Sequence, residues 1–205
     1  MGAVATTQAL EITVSEGGIF DTQVAGATVL DFETAANCGG YASCSGDFGV
    51  VTGSQSSQFA APAGISEPNS YLSVPDDENS CEAIFGLGTT ANYFGLLWSS
   101  IDSYNALEFF SGGIGGTQVA SIDGGFLKSV DSDILVQGNQ VSLDDNRYIN
   151  FFFGSDVFDT VKLISSQNVF ESGNHAWATL PEPGILALFG LGLAGLTVSR
   201  PKKAA

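Results

Sequence analysis

The feature that most constrains the fold is a repeated alternation of short β-rich runs with clusters of glycine, serine, asparagine and aspartate. Clusters such as residues 112–116 and 123–125 provide the positive-φ positions that tight turns need. No segment before residue 181 carries a sustained helical stripe of apolar residues. The pattern predicts an all-β domain, an antiparallel jelly-roll-like β-sandwich over residues 10–180. The predicted strands are 10–14, 28–32, 48–52, 71–74, 93–98, 106–110, 134–136, 148–153, 157–164 and 175–180.

The charge of the chain is strongly acidic and unevenly distributed. The 205 residues contain 22 Asp and Glu against 6 Lys and Arg, for a net charge of −16. Residues 1–180 carry −18, whereas residues 181–205 carry +2, so a boundary lies near residue 180. Because phosphate backbones are bound mainly through Lys and Arg, this balance excludes nucleic acid as a partner.

The C-terminal segment differs in kind from the predicted sandwich. Pro181, Glu182 and Pro183 end any preceding strand, and the 15 residues 184–198 that follow are uncharged. As a helix they span about 22 Å, so the sequence predicts one short transmembrane helix, with a buried core helix as the alternative. The residues of this predicted membrane helix include Gly184, Leu188, Gly192, Leu196 and Val198. The basic stop-transfer residues beyond it are Arg200, Lys202 and Lys203.

The tail at residues 181–203 resembles the PEP-CTERM sorting signal of bacterial surface proteins that exosortases process. Its three ordered features are the Pro-Glu-Pro motif, the short hydrophobic helix and the basic end. The resemblance implies export, retention in the membrane by the tail and cleavage near Pro181–Pro183 by an exosortase. It also implies release to, or attachment at, an exopolysaccharide-rich surface or biofilm matrix. The same tail is also labelled an ice-binding protein C-terminal domain, a label that carries no statement about ice affinity.

Residues 1–9 precede the first predicted strand and contain Ala3-Val4-Ala5, which has the form of a signal-peptidase site. They are either the remnant of a signal peptide or a plain small-residue N-terminus.

The three cysteines leave several arrangements open. Cys38, Cys44 and Cys81 allow any one of three disulfides in an oxidising compartment, or three unpaired thiols.

Catalytic motifs are absent from the sequence. His175 is the single histidine, and no nucleophile elbow, zinc-protease motif or phosphate-binding loop occurs. The chain is therefore predicted not to be an enzyme and to have no catalytic residues. A secreted glycoside hydrolase is the alternative, with Glu108 and Glu171 as its candidate carboxylates.

Two binding sites are predicted for the sandwich. Jelly-roll modules often join an early strand to a late strand through a structural Ca²⁺ held by oxygen ligands. The candidate ligands here are Asp31, Glu33, Glu171 and Asn174. An aromatic platform for sugar stacking is the second site, and its candidates are Tyr93, Trp98, Tyr104 and Trp177.

The two binding predictions differ in their alternatives. For the acidic residues the alternative is solvated loops, and for the aromatic residues it is core packing.

Together these observations predict a non-catalytic exported protein of the cell surface or extracellular matrix, with exosortase and the membrane as partners. A carbohydrate-binding adhesin is the alternative that would bind exopolysaccharide or other surface glycans.

Overall fold

The computed structural model describes residues 9–34, 37–65, 69–75, 81–167 and 169–181. These residues form twelve β-strands, one α-helix and two short 3-10 helices. The strands are β1 (Glu11–Val14), β2 (Thr28–Leu30), β3 (Ser43–Gly46), β4 (Gly49–Thr52), β5 (Ser70–Val74), β6 (Glu82–Ala91), β7 (Tyr93–Ser99), β8 (Asn105–Ser111), β9 (Thr117–Asp123), β10 (Arg147–Phe152), β11 (Phe158–Ser165) and β12 (Phe170–Ala178). Helix α1 covers Gly124–Val130, and the 3-10 helices cover Asn37–Gly40 and Leu143–Asp145.

The described strands form two antiparallel sheets. One sheet has the order β1-β10-β7-β12-β5-β4, and β2 also pairs with β12. The other has the order β3-β6-β11-β8-β9. Because β2 pairs with residues 175–177 of β12 and β5 pairs with residues 170–172, the two short strands lie end to end along the same long strand. The junction between them falls in the middle of β12.

The core lies between the two sheets, which makes the arrangement consistent with a β-sandwich. Phe94 of β7 meets Phe109 of β8 edge to face, with ring centroids 5.6 Å apart. On β11, Phe158, Val161 and Leu163 point inward while Lys162 points outward. Each fully buried large apolar side chain contributes about 1.5–3 kcal/mol of transfer free energy, so this interface is the main stabilising feature of the domain.

Strand β7 is buried along its whole length because it lies between β10 and β12 and also faces the other sheet. Its Gly95 is required by a close approach of two tyrosines. A Cβ atom at this position would lie 2.5 Å from the Tyr93 hydroxyl and 2.7 Å from the Tyr148 hydroxyl. A larger residue at position 95 would therefore displace the hydroxyl pair that fills this part of the sheet.

Several elements differ from the sequence prediction. The predicted strand at 134–136 is irregular backbone, because its amide groups bond to the Asp145 carboxylate instead of a neighbouring strand. Strands β3, β6 and β9 were not predicted, since glycine and serine interrupt their apolar alternation. Helix α1 was also missed. Its two initial glycines indicate a turn, but Asp123 caps the helix by accepting from the Phe126 N–H at 2.7 Å.

The predicted transmembrane helix at 184–198 lies outside the described residues, as do residues 1–8 of the predicted N-terminal segment. Within the part of the chain that the structure describes, no helix combines the length and apolar character needed to span a membrane.

Candidate functional site

Glu171 is a buried carboxyl group in the middle of the larger sheet. It lies near the start of β12, where it is paired with Ser73 of β5 and Ser99 of β7. Its side chain is 2% exposed. One carboxyl oxygen, Oε1, accepts a hydrogen bond from the Ala60 N–H at 2.8 Å. Among the described residues no group bonds to the other oxygen, Oε2.

Burial without a positive partner sets the protonation state of this carboxyl. Desolvation raises the pKa of Glu171 to about 8, and the negative charge of Asp102 acts in the same direction. The hydrogen bond from Ala60 opposes both effects without overcoming them. At neutral pH the carboxyl is therefore mostly protonated, and its second oxygen is buried without a hydrogen-bond partner among the described residues.

Glu171 forms the floor of two depressions that share Gln140, Val169 and Glu171 as lining residues; we call these depressions together the Glu171 cavity. The larger has a volume of about 260 Å³ and is walled by residues 54–59. The smaller has a volume of about 100 Å³, and its wall is almost entirely polar. Its further lining residues are Ser100, Asp102, Tyr104, Gln137 and Gly138.

The wall at residues 54–59 is a tight polar loop. Gln55 and Phe59 exchange two backbone hydrogen bonds, of 2.9 and 3.1 Å, which close the loop. Below it, the Tyr71 hydroxyl donates to the carbonyl of Gly53 at 2.5 Å, and the Phe59 and Tyr71 rings meet edge to face. These contacts fix the base of the loop, so its exposed serine and glutamine side chains are presented towards the cavity.

The opposite wall is organised by Asp145, whose side chain is fully buried. Its carboxylate accepts four backbone hydrogen bonds, from the N–H groups of residues 135, 136, 137 and 139, at 2.9 to 3.3 Å. The four bonds bend this segment around one negative charge and place Gln137 and Gly138 at the cavity. Gly138 has a φ of 61°, and a Cβ atom there would lie 2.5 Å from Asp102 Oδ2.

Asp102 and Tyr104 complete the smaller depression. Burial raises the pKa of Asp102, and the negative charge of Asp145 adds to the increase, while a hydrogen bond with Tyr104 opposes it. Burial also raises the pKa of Tyr104, so its hydroxyl stays protonated at physiological pH. No lysine or arginine is present among the described lining residues, so the acidic side chains of the cavity have no counter-ion there.

The two candidate hydrolase carboxylates, Glu171 and Glu108, lie in different environments. Glu171 lies in a cavity beside a second carboxyl group, Asp102. Glu108 lies on the outer face of the other sheet, where its carboxylate is 3.6 Å from the Lys162 ammonium. His175 is fully buried and bonded on both ring nitrogens. The cavity therefore contains one of the two predicted carboxylates and not the histidine.

The four aromatic residues predicted to form a sugar platform do not share a surface. Tyr93 and Trp98 are fully buried, and the Trp98 ring stacks on Phe170 with centroids 4.4 Å apart. Trp177 is 6% exposed and stacks on Tyr41. Tyr104 is the member of the set that lines the cavity. Of the other three, Trp98 and Trp177 pack in the apolar core, and the Tyr93 hydroxyl bonds to Thr22 and Asn150.

The predicted calcium ligands are separated by their own hydrogen bonds. Asp31 accepts from the Glu33 N–H, and Glu33 accepts from the Ser70 N–H at 2.7 Å. The Asn174 side-chain amide donates to Asp21 Oδ1 at 2.7 Å. Glu171 faces the cavity instead. Among the described residues, no three acidic, histidine or cysteine side chains converge in a way that could hold a metal ion.

Of the three disulfide pairings that the sequence left open, the structure contains the one between Cys38 and Cys44, whose Cα atoms are 5.3 Å apart. Cys81 is a free, exposed thiol. The predicted sorting residues begin at Pro181, which is exposed. Glu182, Pro183 and the rest of the tail, including Arg200, Lys202 and Lys203, lie outside the described residues.

Sequence reasoning missed most of the Glu171 cavity. Asp102, Gln137 and Gln140 come from loops, and only the fold brings them beside β12. One signal was present in the sequence. The run of five uncharged polar residues at 54–58, between Gly53 and Phe59, is typical of a loop that presents hydrogen-bonding side chains.

Comparison with known proteins assigns the tail and leaves the sandwich unassigned. Residues 179–203 match the family model of the PEP-CTERM protein-sorting motif. The search of curated proteins and the search of solved structures each returned no match for the chain. The motif confirms the resemblance seen in the sequence, and it supports an exported, cell-surface-directed protein that is processed by an exosortase.

Proposed function

We propose that this chain is a non-catalytic protein of the cell surface or extracellular matrix whose jelly-roll-like sandwich binds carbohydrate in the Glu171 cavity. The sorting motif at residues 179–203 supports the destination. The observation that carries the binding function is the unpartnered carboxyl oxygen of Glu171 at the floor of a polar cavity. In this proposal residues 184–198 hold the protein in the membrane until the exosortase acts.

The lining of the cavity suits a small sugar. Hydroxyl and amide side chains from residues 54–58 and from Gln137 and Gln140 offer both donors and acceptors, as sugar hydroxyls require. Tyr104 and Phe59 add aromatic surface for the apolar face of a ring. A volume of about 260 Å³ is at the small end for ligand pockets, which favours one or two sugar rings at the end or side of a polymer.

A glycoside hydrolase is the second candidate, because Glu171 combines a protonated carboxyl with a neighbouring carboxylate, Asp102. That combination is typical of the acid and its partner in sugar hydrolysis. Binding alone is preferred for two reasons. The Glu171 side chain is 2% exposed, which restricts its reach to a glycosidic bond. The Asp102 carboxylate is hydrogen-bonded to the Tyr104 hydroxyl and is less available to a water molecule or an anomeric carbon.

Sorting is tested by replacing Pro181, Glu182 and Pro183 with alanine in the producing bacterium. The expected result is that the wild type matures to a species lacking roughly the last 20 residues, whereas the variant keeps its full mass and stays in the membrane fraction. Intact mass and cell fractionation measure both. Pro62→Ala is the matched control, since Pro62 lies in the sandwich and should leave processing unchanged. Processing of the triple variant at the wild-type rate would contradict the role of the motif.

Binding and hydrolysis are separated with the full chain in neutral detergent micelles. A glycan array and a reducing-sugar assay are run on the wild type, Tyr104→Ala and Glu108→Gln. We expect binding by the wild type, a loss of about tenfold in Tyr104→Ala, and no loss in Glu108→Gln, whose side chain is outside the cavity. Release of reducing ends by the wild type that Glu171→Gln abolishes would establish the hydrolase instead.

A further inference from the structure

The Glu171 cavity contains acceptors that its own described residues do not satisfy. Glu171 Oε2 and the Ser100 hydroxyl are both buried and have no hydrogen-bond partner among the described residues. Both residues line the smaller depression, where Asp102 also lies. A buried polar group without a partner costs about 1–3 kcal/mol, so two such groups at one cavity indicate that a ligand supplies the missing bonds.

The charges around the cavity define what kind of group that ligand presents. The negative charge of Asp145 acts on Asp102, that of Asp102 acts on Glu171, and Tyr104 remains neutral. The nearby basic residues point elsewhere. Arg147 donates to the Ser15 carbonyl and contacts Asp144, and Lys128 donates to the Leu135 carbonyl. A positive group that enters the cavity therefore meets acidic side chains without competition from an internal cation.

Building on the carbohydrate binding proposed above, we propose that the Glu171 cavity selects an amino sugar, whose ammonium group donates to Glu171 Oε2, Asp102 and the Ser100 hydroxyl. An ammonium group has three N–H donors, which matches these three acceptors in number. A charge-assisted bond to a carboxylate is roughly twice as strong as a neutral one. An acetylated amine lacks the charge and two of the donors, so it binds more weakly.

The charge of the whole protein favours the same class of ligand. The chain carries −16, which attracts a cationic polymer and repels one made of uronic acids. Among surface polysaccharides, the class that fits both the cavity and the surrounding field is therefore a polymer containing free amino sugars. Neutral polymers fit the hydroxyl-lined wall but leave the carboxyl groups without a counter-ion.

Ammonium binding also has a proton linkage that a neutral sugar does not share. Because the free Glu171 carboxyl is mostly protonated below its pKa of about 8, the ammonium must displace a proton when it binds. The affinity should therefore rise by up to about tenfold per pH unit from about pH 5.5 to pH 7, while the amine stays charged. In Glu171→Gln there is no such proton to release, and the pH dependence should be weaker than in the wild type.

The test is isothermal titration of the full chain in neutral detergent with a glucosamine oligosaccharide and with an N-acetylglucosamine oligosaccharide of equal length. We expect the free-amine oligomer to bind at least about tenfold tighter to the wild type and to Glu108→Gln. In Glu171→Gln the preference for the free-amine oligomer should be clearly smaller, because Asp102 and the Ser100 hydroxyl are the acceptors that remain. Glu171→Gln keeps a carbonyl oxygen for the Ala60 N–H, and its melting temperature verifies that it is folded.

Each outcome separates the two proposals. Equal affinity of the wild type for both oligomers would overturn the amino-sugar inference and leave carbohydrate binding in place. An absence of binding to every sugar would overturn the proposed function itself. A lysine-rich peptide that binds the wild type as tightly as the amino sugar, and loses affinity in Glu171→Gln, would assign the cavity to amines of proteins and overturn the sugar specificity.

Discussion

Two buried polar groups lie four residues apart on β12, and they differ in how completely they are hydrogen-bonded. The His175 imidazole is bonded on both sides, by the Tyr41 hydroxyl at Nδ1 and the Ser172 hydroxyl at Nε2, at 2.5 and 2.9 Å. Glu171 has one bonded and one open oxygen. His175 lies among aromatic rings, including Phe32 and Phe94, whereas Glu171 lies at a cavity.

The difference distinguishes a structural polar group from a candidate binding group. A neutral imidazole has one donor and one acceptor, and hydroxyl groups on both sides pair with either tautomer. Burial lowers the pKa of His175 to about 3, so it remains neutral and its bonds are complete. Glu171 is equally enclosed but incomplete, which is why a functional role is assigned to it rather than to the single histidine.

The largest expected effect concerns stability: the contributions of His175 and Glu171 to the free energy of unfolding should depend on pH in opposite directions. His175 stabilises the fold fully above its unfolded pKa of 6.5, and this contribution falls as the pH decreases towards 3. The pKa of Glu171 is raised instead, from 4.5 to about 8. Its contribution is complete below 4.5 and is lost as the pH rises through 8. Each effect has a slope of about 1.4 kcal/mol per pH unit in its window.

The comparison is measured by urea unfolding of the wild type and Glu171→Gln at intervals between about pH 5 and pH 8. The free energy of unfolding of the wild type should fall relative to that of the variant as the pH increases. Glu108→Gln, at the partly buried ion pair with Lys162, is the control and should change stability by less than about 1 kcal/mol. Parallel curves for the wild type and Glu171→Gln would show that Glu171 is ionised and partnered in the folded protein.

A smaller effect is expected from the disulfide that holds the histidine site. The bond between Cys38 and Cys44 closes the turn that carries Tyr41 over His175. Replacing both cysteines with serine should lower the free energy of unfolding by about 2 kcal/mol, the entropy of a loop of this length. Sugar affinity should stay unchanged, because the turn does not line the cavity. Cys81→Ser is the matched control, and a loss of binding in the double variant would couple the two sites.

The smallest effect is expected from Tyr41→Phe. The substitution removes the hydroxyl from Nδ1 of His175 and retains the ring that stacks on Phe85 and Trp177. It should cost about 1 kcal/mol, measured by thermal unfolding, and leave sugar affinity unchanged. A much larger loss, or weaker sugar binding, would mean that the histidine site contributes to the cavity and that the two sites are one network.

The fold was predictable where aromatic and aliphatic residues are concentrated in one short run. The predicted strand at 148–153 corresponds to β10 within one residue at each end, and the one at 93–98 corresponds to β7. Strand β6 was not predicted because Gly86 and Gly88 interrupt its pattern. A Cβ atom at Gly86 would lie too close to the Ser43 hydroxyl oxygen. The glycine is therefore required by the neighbouring strand β3, which the local sequence pattern does not reveal.

The sorting motif was predictable because it is local, and the cavity was not because it is tertiary. Pro181, Glu182 and Pro183 are recognised by their order and their position before an apolar run. Glu171 was named from the sequence, but its relation to Asp102 depends on a separation of 69 residues that only sheet pairing closes. The aromatic prediction was limited for the same reason, since the sequence does not say which face of a strand is buried.

The Asp145 carboxylate has a consequence for how this protein can diversify. It holds residues 135, 136, 137 and 139 through their main-chain N–H groups, and every amino acid except proline supplies such a group. The shape of that cavity wall is therefore independent of most of the side chains it displays. Gln137 can be exchanged for another residue, and the ligand preference altered, without rebuilding the loop.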